Sequence, residues 1–177
     1  SIALTPHTDN PYRKPIPCIQ LLHCLENEVK EGLSTLVDGF AVAEYLKKNN
    51  HNLFKILTET KVRFRFVDKT IILENWGELI ELDQEKRIKQ VRYSTRLDYV
   101  PALEKTKLKK FYKARKLIAN LYASKKFEIR FKLETGDLLM MDNHRLLHGR
   151  TAYDPSEGKR YLKGCYIDHD STEGKLR

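Results

Sequence analysis

Short apolar runs with a period of two constrain this chain most. KVRFRFVD (61–68) and FEIRFKLE (127–134) alternate cleanly, as strands with one solvated face do. IQLLHCLE (19–26), STLVD (34–38), TIILENW (70–76), KQVRYST (89–95), DLLMMDN (137–143) and YLKGCYID (161–168) are similarly rich in branched and aromatic residues. Two helical stretches interrupt them. One follows Asp38 as N-cap and runs from Phe40 to Lys48; the other covers roughly residues 103–124. LETGD (133–137) reads as a tight hairpin, with Gly136 supplying a positive φ. Strands and helices do not alternate regularly, which argues against a doubly wound sheet. The expectation is a mainly β fold with helical insertions, a sandwich or barrel of the jelly-roll kind.

The 177 residues suit one domain over 1–177, and 41% hydrophobic with 32% charged residues is a globular composition. The longest apolar runs, such as LLMM (138–141), are too short to span a bilayer, and no signal-peptide pattern opens the chain. These features predict a cytoplasmic protein with no membrane partner. The net charge of +9 raises nucleic acid as a partner. However, the lysines of EKTKLKKFYKARK fit the wet face of a helix whose other side carries Leu108, Phe111, Tyr112, Arg115, Ile118, Ala119 and Tyr122. The prediction is therefore no nucleic acid, and a small-molecule, rather anionic substrate. Three cysteines without CxxC spacing predict reduced thiols rather than disulfides or structural zinc.

The chemistry centres on His7-Thr8-Asp9. On an extended segment residues i and i+2 share a face, so an imidazole and a carboxylate stand together. A second, distant histidine would complete a two-His-one-carboxylate set, leaving three open positions on an octahedral Fe(II) for an oxo acid and O₂. His148, in LLHGR, is the candidate. Arg160, twelve residues on, could grip the far carboxylate of a chelating dicarboxylate.

HTDNPYRKPIPCIQLLHCLE with EGLSTLVDGF, and GDLLMMDNHRLLHGRTAYDPSEGKRYLKGCYIDHD, resemble the γ-butyrobetaine dioxygenase and trimethyllysine dioxygenase family of taurine-dioxygenase-like Fe(II)/2-oxoglutarate oxygenases. The resemblance runs over most of the chain and is weakest from about residue 60 to 125. It implies a double-stranded β-helix, iron held by His7, Asp9 and His148, and 2-oxoglutarate as cosubstrate gripped by Arg160. It further implies that Ser34, in Glu31-Gly32-Leu33-Ser34 where the family has GGxS/T, and Leu22 adjoin the cosubstrate. Tyr12 and Tyr166 are the implied substrate contacts, Tyr166 as one wall of a trimethylammonium cage. Ser94-Thr95 stand where related enzymes have an Asn-Asn pair. The other cage aromatics of the family precede HTD, so the chain reads as a fragment lacking its N-terminal portion. The implied reaction is hydroxylation of γ-butyrobetaine with O₂. Trimethyllysine, a trimethylammonium phosphonate, or a non-catalytic remnant of the fold are the alternatives, and a homodimer is compatible with all of them.

The remaining candidates have plainer readings. His23 belongs on a core strand, hydrogen-bonded rather than ligating. His144 and His148 have helical zinc-pair spacing, but their surroundings read as strand and turn. Arg160 has a competing reading as a partner of Asp154 or Glu157. Tyr166 reads equally as a core aromatic, and Trp76 as a core or interface residue.

Overall fold

The computed structural model describes residues 1–168, 170, 171 and 174; the end of the expected 1–177 domain lies partly outside them. Among the described residues the strands are β1 (Leu4–His7), β2 (Ile19–Asn27), β3 (Ser34–Asp38), β4 (Lys61–Val67), β5 (Ile72–Glu78), β6 (Ile80–Leu82), β7 (Ile88–Val91), β8 (Asp98–Tyr99), β9 (Glu128–Phe131), β10 (Leu138–Asp142), β11 (Leu146–Arg150) and β12 (Arg160–Ile167). The α-helices are α1 (Gly39–Asn49), α2 (His51–Glu59) and α3 (Lys105–Tyr122).

One antiparallel sheet has the order β1-β11-β3-β9 and a second the order β10-β2-β12. Smaller sheets β5-β4-β8 and β6-β7 flank them. The core lies between the helices and one face of the first sheet. Val42, Ala43 and Leu46 of α1, Phe54 and Leu57 of α2, and Phe111, Ala114, Ile118 and Tyr122 of α3 pack there against Val37 and Leu147. Val37 and Leu147 are cross-strand partners, as are Leu36 and His148 one residue along. Successive strand residues point to opposite faces, so the alternation that buries Leu147 under the helices sends His148 to the other side.

Asp38 caps α1 as expected: its Oδ1 accepts from the backbone N–H of Phe40 at 2.9 Å and of Ala41 at 3.2 Å. Lys109, Lys110, Lys113 and Lys116 form the exposed face of α3. Tyr112, assigned to the buried stripe, is half exposed instead; Ala114 takes the inward place.

Other expectations need correction. Residues 51–59 form α2, a third helix hidden in the sequence inside a basic stretch; nine residues give fewer than three turns, and Asn50 supplies no side-chain cap. LETGD is not a hairpin. Gly136 does take φ 97°, but β9 lies in the first sheet and β10 in the second, so the turn carries the chain between sheets. His23 sits on β2 but faces solvent, and Trp76 is 49% exposed on β5, which removes the core reading and leaves the interface one. The KQVRYST strand is shorter than read, ending at Val91.

Candidate active site

His7 ends β1 directly opposite His148 on β11, and their rings lie 4.4 Å apart between centroids. His7 Nδ1 is 2.8 Å from the carbonyl oxygen of Thr5. A nitrogen facing a carbonyl carries a proton, so in the neutral ring it is His7 Nε2 that has the lone pair. That lone pair meets Asp9 Oδ1 at 3.3 Å, and His148 Nε2 lies 3.7 Å from Asp9 Oδ2. Lone pairs this close call for a proton or a cation between them. Ligand atoms of His7, Asp9 and His148 all fall within 4.8 Å of one another, so the donor set fits a divalent ion of the Fe(II) type.

Electrostatics prepare these groups. Burial, followed by the neighbouring His7, lowers the His148 pKa to about 4, which keeps the imidazole neutral and able to ligate. Burial alone would raise the Asp9 pKa. Contact with His7, the electrostatic pull of the neighbouring His148 ring and the Tyr166 hydroxyl outweigh it and bring the carboxyl down to about 2.

The HTD segment is pinned from three directions. Thr8 is buried, donates its N–H to the Tyr93 carbonyl at 3.0 Å, and accepts from Tyr93 N at 3.1 Å on Oγ1. Asn143, fully buried, accepts from Asp9 N at 2.7 Å and donates to Asp9 O at 3.0 Å and Pro17 O at 2.9 Å. From the second sheet, Gln20 Nε2 and Tyr166 Oη donate to Asp9 Oδ2 at 2.6 and 2.7 Å. Tyr166 is therefore not a core aromatic: it is 43% exposed, and its hydroxyl engages the Asp9 carboxylate.

Arg160 opens β12 opposite Asn27. Neither Asp154 nor Glu157 pairs with it: Asp154 caps Ser156 and Glu157 accepts from Lys30 N. Its Nε is buried without a hydrogen-bond partner among the described residues. Burial, then the nearby Arg150 charge, pull it below the usual guanidinium range. A half-buried cation with an orphaned donor fits a carboxylate-bearing ligand. Gly32, at φ 73°, gives it room: a Cβ there would stand 3.3 Å from Arg160 Nε and 3.1 Å from Tyr153 Cδ1. Ser34 is buried on β3 two residues beyond. Leu22 is half-buried on β2, opposite Leu139 and Gly164.

His7 and Asp9 open onto a cavity of about 370 Å³, also lined by Tyr12, Phe66, Ser94 and Arg96. Tyr12 stacks on Phe66 at 5.0 Å and donates to Asn10 Oδ1 at 2.7 Å. Tyr12 thus shares the cavity with His7 and Asp9, whereas Tyr166 reaches Asp9 from the second sheet.

The profile of the "Taurine catabolism dioxygenase TauD, TfdA family" matches residues 2–166. The chain belongs to the TauD/TfdA family. Among curated relatives of this family member, the γ-butyrobetaine dioxygenase of Homo sapiens is 36% identical over 176 residues, 97% of this chain and 46% of that protein. The γ-butyrobetaine dioxygenase of Pseudomonas sp. (strain AK-1) is 35% identical over 170 residues, 96% of this chain and 44% of that protein. The trimethyllysine dioxygenase of Meyerozyma guilliermondii is 32% identical over 181 residues, 99% and 45% respectively. The chain spans less than half the length of these relatives. In fold it resembles an asparagine oxygenase solved with Fe(II), 2S,3S-3-hydroxyasparagine and succinate, with TM-score 0.74 and 17% identity over 94% of this chain and 50% of that one. The non-heme iron oxygenase OrfP, solved with Fe and α-ketoglutaric acid, gives TM-score 0.68 at 20% identity over 99% and 53%. The jelly-roll expectation holds.

Gln20 and Asn143 carry no motif of their own in the sequence. Gln20 had a signal, a polar residue among the apolar neighbours of β2; Asn143 had none beyond its place in DNH. His144 does not pair with His148. Its Nε2 contacts Ile16 O at 3.1 Å, and its ring lies with Cys18 and Asp142 in a second cluster of ligand types.

Proposed function

We propose that the chain is the catalytic part of an Fe(II)- and 2-oxoglutarate-dependent dioxygenase hydroxylating a small quaternary-ammonium substrate, with γ-butyrobetaine the first choice. The observation that carries this reading is the convergence of His7, Asp9 and His148 on one point, together with an arginine that has no acidic partner among the described residues. His7 Nε2, His148 and Asp9 would hold the iron, and Arg160 the distal carboxylate of 2-oxoglutarate, with Ser34 and Leu22 lining its site. The chemistry supplied by that bound pair is O₂ activation coupled to oxidative decarboxylation.

The chain's own residues do the rest. His148 stays neutral through burial, and the Thr8–Tyr93 and Asn143 contacts fix the HTD backbone. The stacked Tyr12 and Phe66 offer aromatic faces to a trimethylammonium group, each good contact being worth about 1–2 kcal/mol once desolvated. Arg96, in the same cavity wall, suits the negative end of a zwitterion. The names of the curated relatives favour γ-butyrobetaine over trimethyllysine by identity, 35–36% against 32%. Anaerobic titration with Fe(II) and 2-oxoglutarate tests the reading. A weak visible charge-transfer band is expected, lost in His7→Ala and Asp9→Ala, whereas Arg160→Ala demands more 2-oxoglutarate. A band unchanged in His7→Ala overturns the metal assignment. Succinate release on adding γ-butyrobetaine, measured against trimethyllysine, tests the substrate.

A further inference from the structure

An ionised carboxylate oxygen offers two in-plane lone-pair directions. At Asp9 Oδ2 two donors approach within 2.7 Å, the Gln20 amide and the Tyr166 hydroxyl. Both come from the second sheet, where Gln20 on β2 and Tyr166 on β12 are cross-strand partners. The register places the two donors side by side, facing a carboxylate carried by the end of the first sheet. Gln20 is 3% exposed, and its Oε1 has no hydrogen-bond partner among the described residues, so the bond to Asp9 is what orients its amide. Asp9 Oδ1 accepts from neither donor and stands 3.3 Å from His7 Nε2, while His148 Nε2 lies farther off, 3.7 Å from Oδ2.

We propose that Gln20 and Tyr166 form a two-donor fork that positions Asp9 as a one-oxygen metal ligand through Oδ1. This rests on the iron reading above and adds to it a division of labour within the carboxylate: Oδ1 ligates, and Oδ2 is spent on the fork. The fork stops the carboxylate from swinging to a two-oxygen mode, which would consume one of the positions needed by cosubstrate or O₂. It also changes the part assigned to Tyr166. The hydroxyl acts on the metal ligand, and only the ring remains for a substrate to touch.

The test is binding of Co(II), a redox-stable probe, to the apo chain, followed by calorimetry and by the visible Co(II) spectrum, which reports coordination number. Tyr166→Phe removes one hydroxyl and no ring volume. Gln20→Glu keeps the length of the side chain but replaces its N–H donors with a second carboxylate. Each is expected to weaken Co(II) about tenfold or more, the usual cost of removing a partner from a metal ligand, and to alter the band shape as the carboxylate reorients. Tyr161→Phe, at the start of β12 opposite Glu26 and away from Asp9, is the control and should bind as wild type. A Tyr166→Phe chain with wild-type thermal midpoint but weakened, spectrally altered Co(II) supports the fork. Wild-type affinity and spectrum in Tyr166→Phe, or in a folded Gln20→Glu, overturn it. If Gln20→Glu does not fold, Tyr166→Phe decides. The two readings fail differently: wild-type binding in His7→Ala overturns the iron site and the fork together, whereas loss in His7→Ala with no change in Tyr166→Phe overturns the fork alone.

Discussion

Replacing Asn143 by alanine would remove the side chain that joins Asp9 to the loop before β2. Three hydrogen bonds disappear: Asp9 N to Asn143 Oδ1 at 2.7 Å, and Asn143 Nδ2 to Asp9 O at 3.0 Å and Pro17 O at 2.9 Å. The backbone bond from Asn143 N to Cys18 O at 2.7 Å survives. At a net of roughly 1 kcal/mol per bond the loss is about 3 kcal/mol, and a carbonyl stranded in a fully buried site takes it nearer 4 kcal/mol. That is a large share of the roughly 5–15 kcal/mol holding a domain folded. Urea unfolding of the metal-free chain measures it, and Co(II) titration of the same sample shows whether the freed Asp9 backbone also loosens the ligand set. Asn143→Asp is the companion variant. It keeps the shape but turns an acceptor toward the Asp9 and Pro17 carbonyls, so it should destabilise at least as much. A loss under about 1 kcal/mol in both variants, with Co(II) affinity unchanged, would refute the reasoning that this side chain organises the HTD segment.

The metal-free chain should lose stability on acidification in two steps. His148, folded at about 4 against 6.5 unfolded, contributes fully above about pH 6.5 and is lost as pH falls toward 4, a cost of roughly 3 kcal/mol; Asp9, folded at about 2 against 3.8, adds a second loss below about pH 4. In both steps the unfolded chain binds more protons, so His148→Gln should flatten the upper one in urea midpoints collected against pH, and an unchanged upper step would exclude His148 as its source. Gly32→Ala forces a Cβ onto a residue at φ 73° and against Tyr153 and Arg160; 2-oxoglutarate affinity should fall several-fold in calorimetry while Co(II) affinity stays. Leu147→Ala empties a fully buried site under the helices and should cost about 2–5 kcal/mol in urea unfolding, with Co(II) binding retained because the neighbouring His148 faces the other way.

The proposed ligands are legible in the sequence because a metal site constrains residue type more than place. Imidazole and carboxylate at i and i+2 on extended backbone, a distant histidine, and an arginine beyond it leave few alternatives, and the β1–β11 register realises them as His7 opposite His148. Individual strands were legible for a similar reason: alternation in KVRFRFV is a direct record of one buried face. What alternation does not encode is the identity of the neighbour. The LETGD turn has the right residue at φ 97° for a hairpin, yet its flanking strands join different sheets, a choice made by long-range pairing of β9 with β3 and of β10 with β2. The same blindness hid the residues that hold Asp9. Gln20 matters only because β12 places Tyr166 beside it, and Asn143 only because the turn after β10 lies under the HTD loop. A ligand is chosen by its chemistry, which sequence displays; a positioning residue is chosen by which atom it can reach, and that exists only once both sheets are in place. Donors from β2 and β12 of the second sheet reach a carboxylate just beyond β1 of the first, so a mutation in either sheet can act on Asp9.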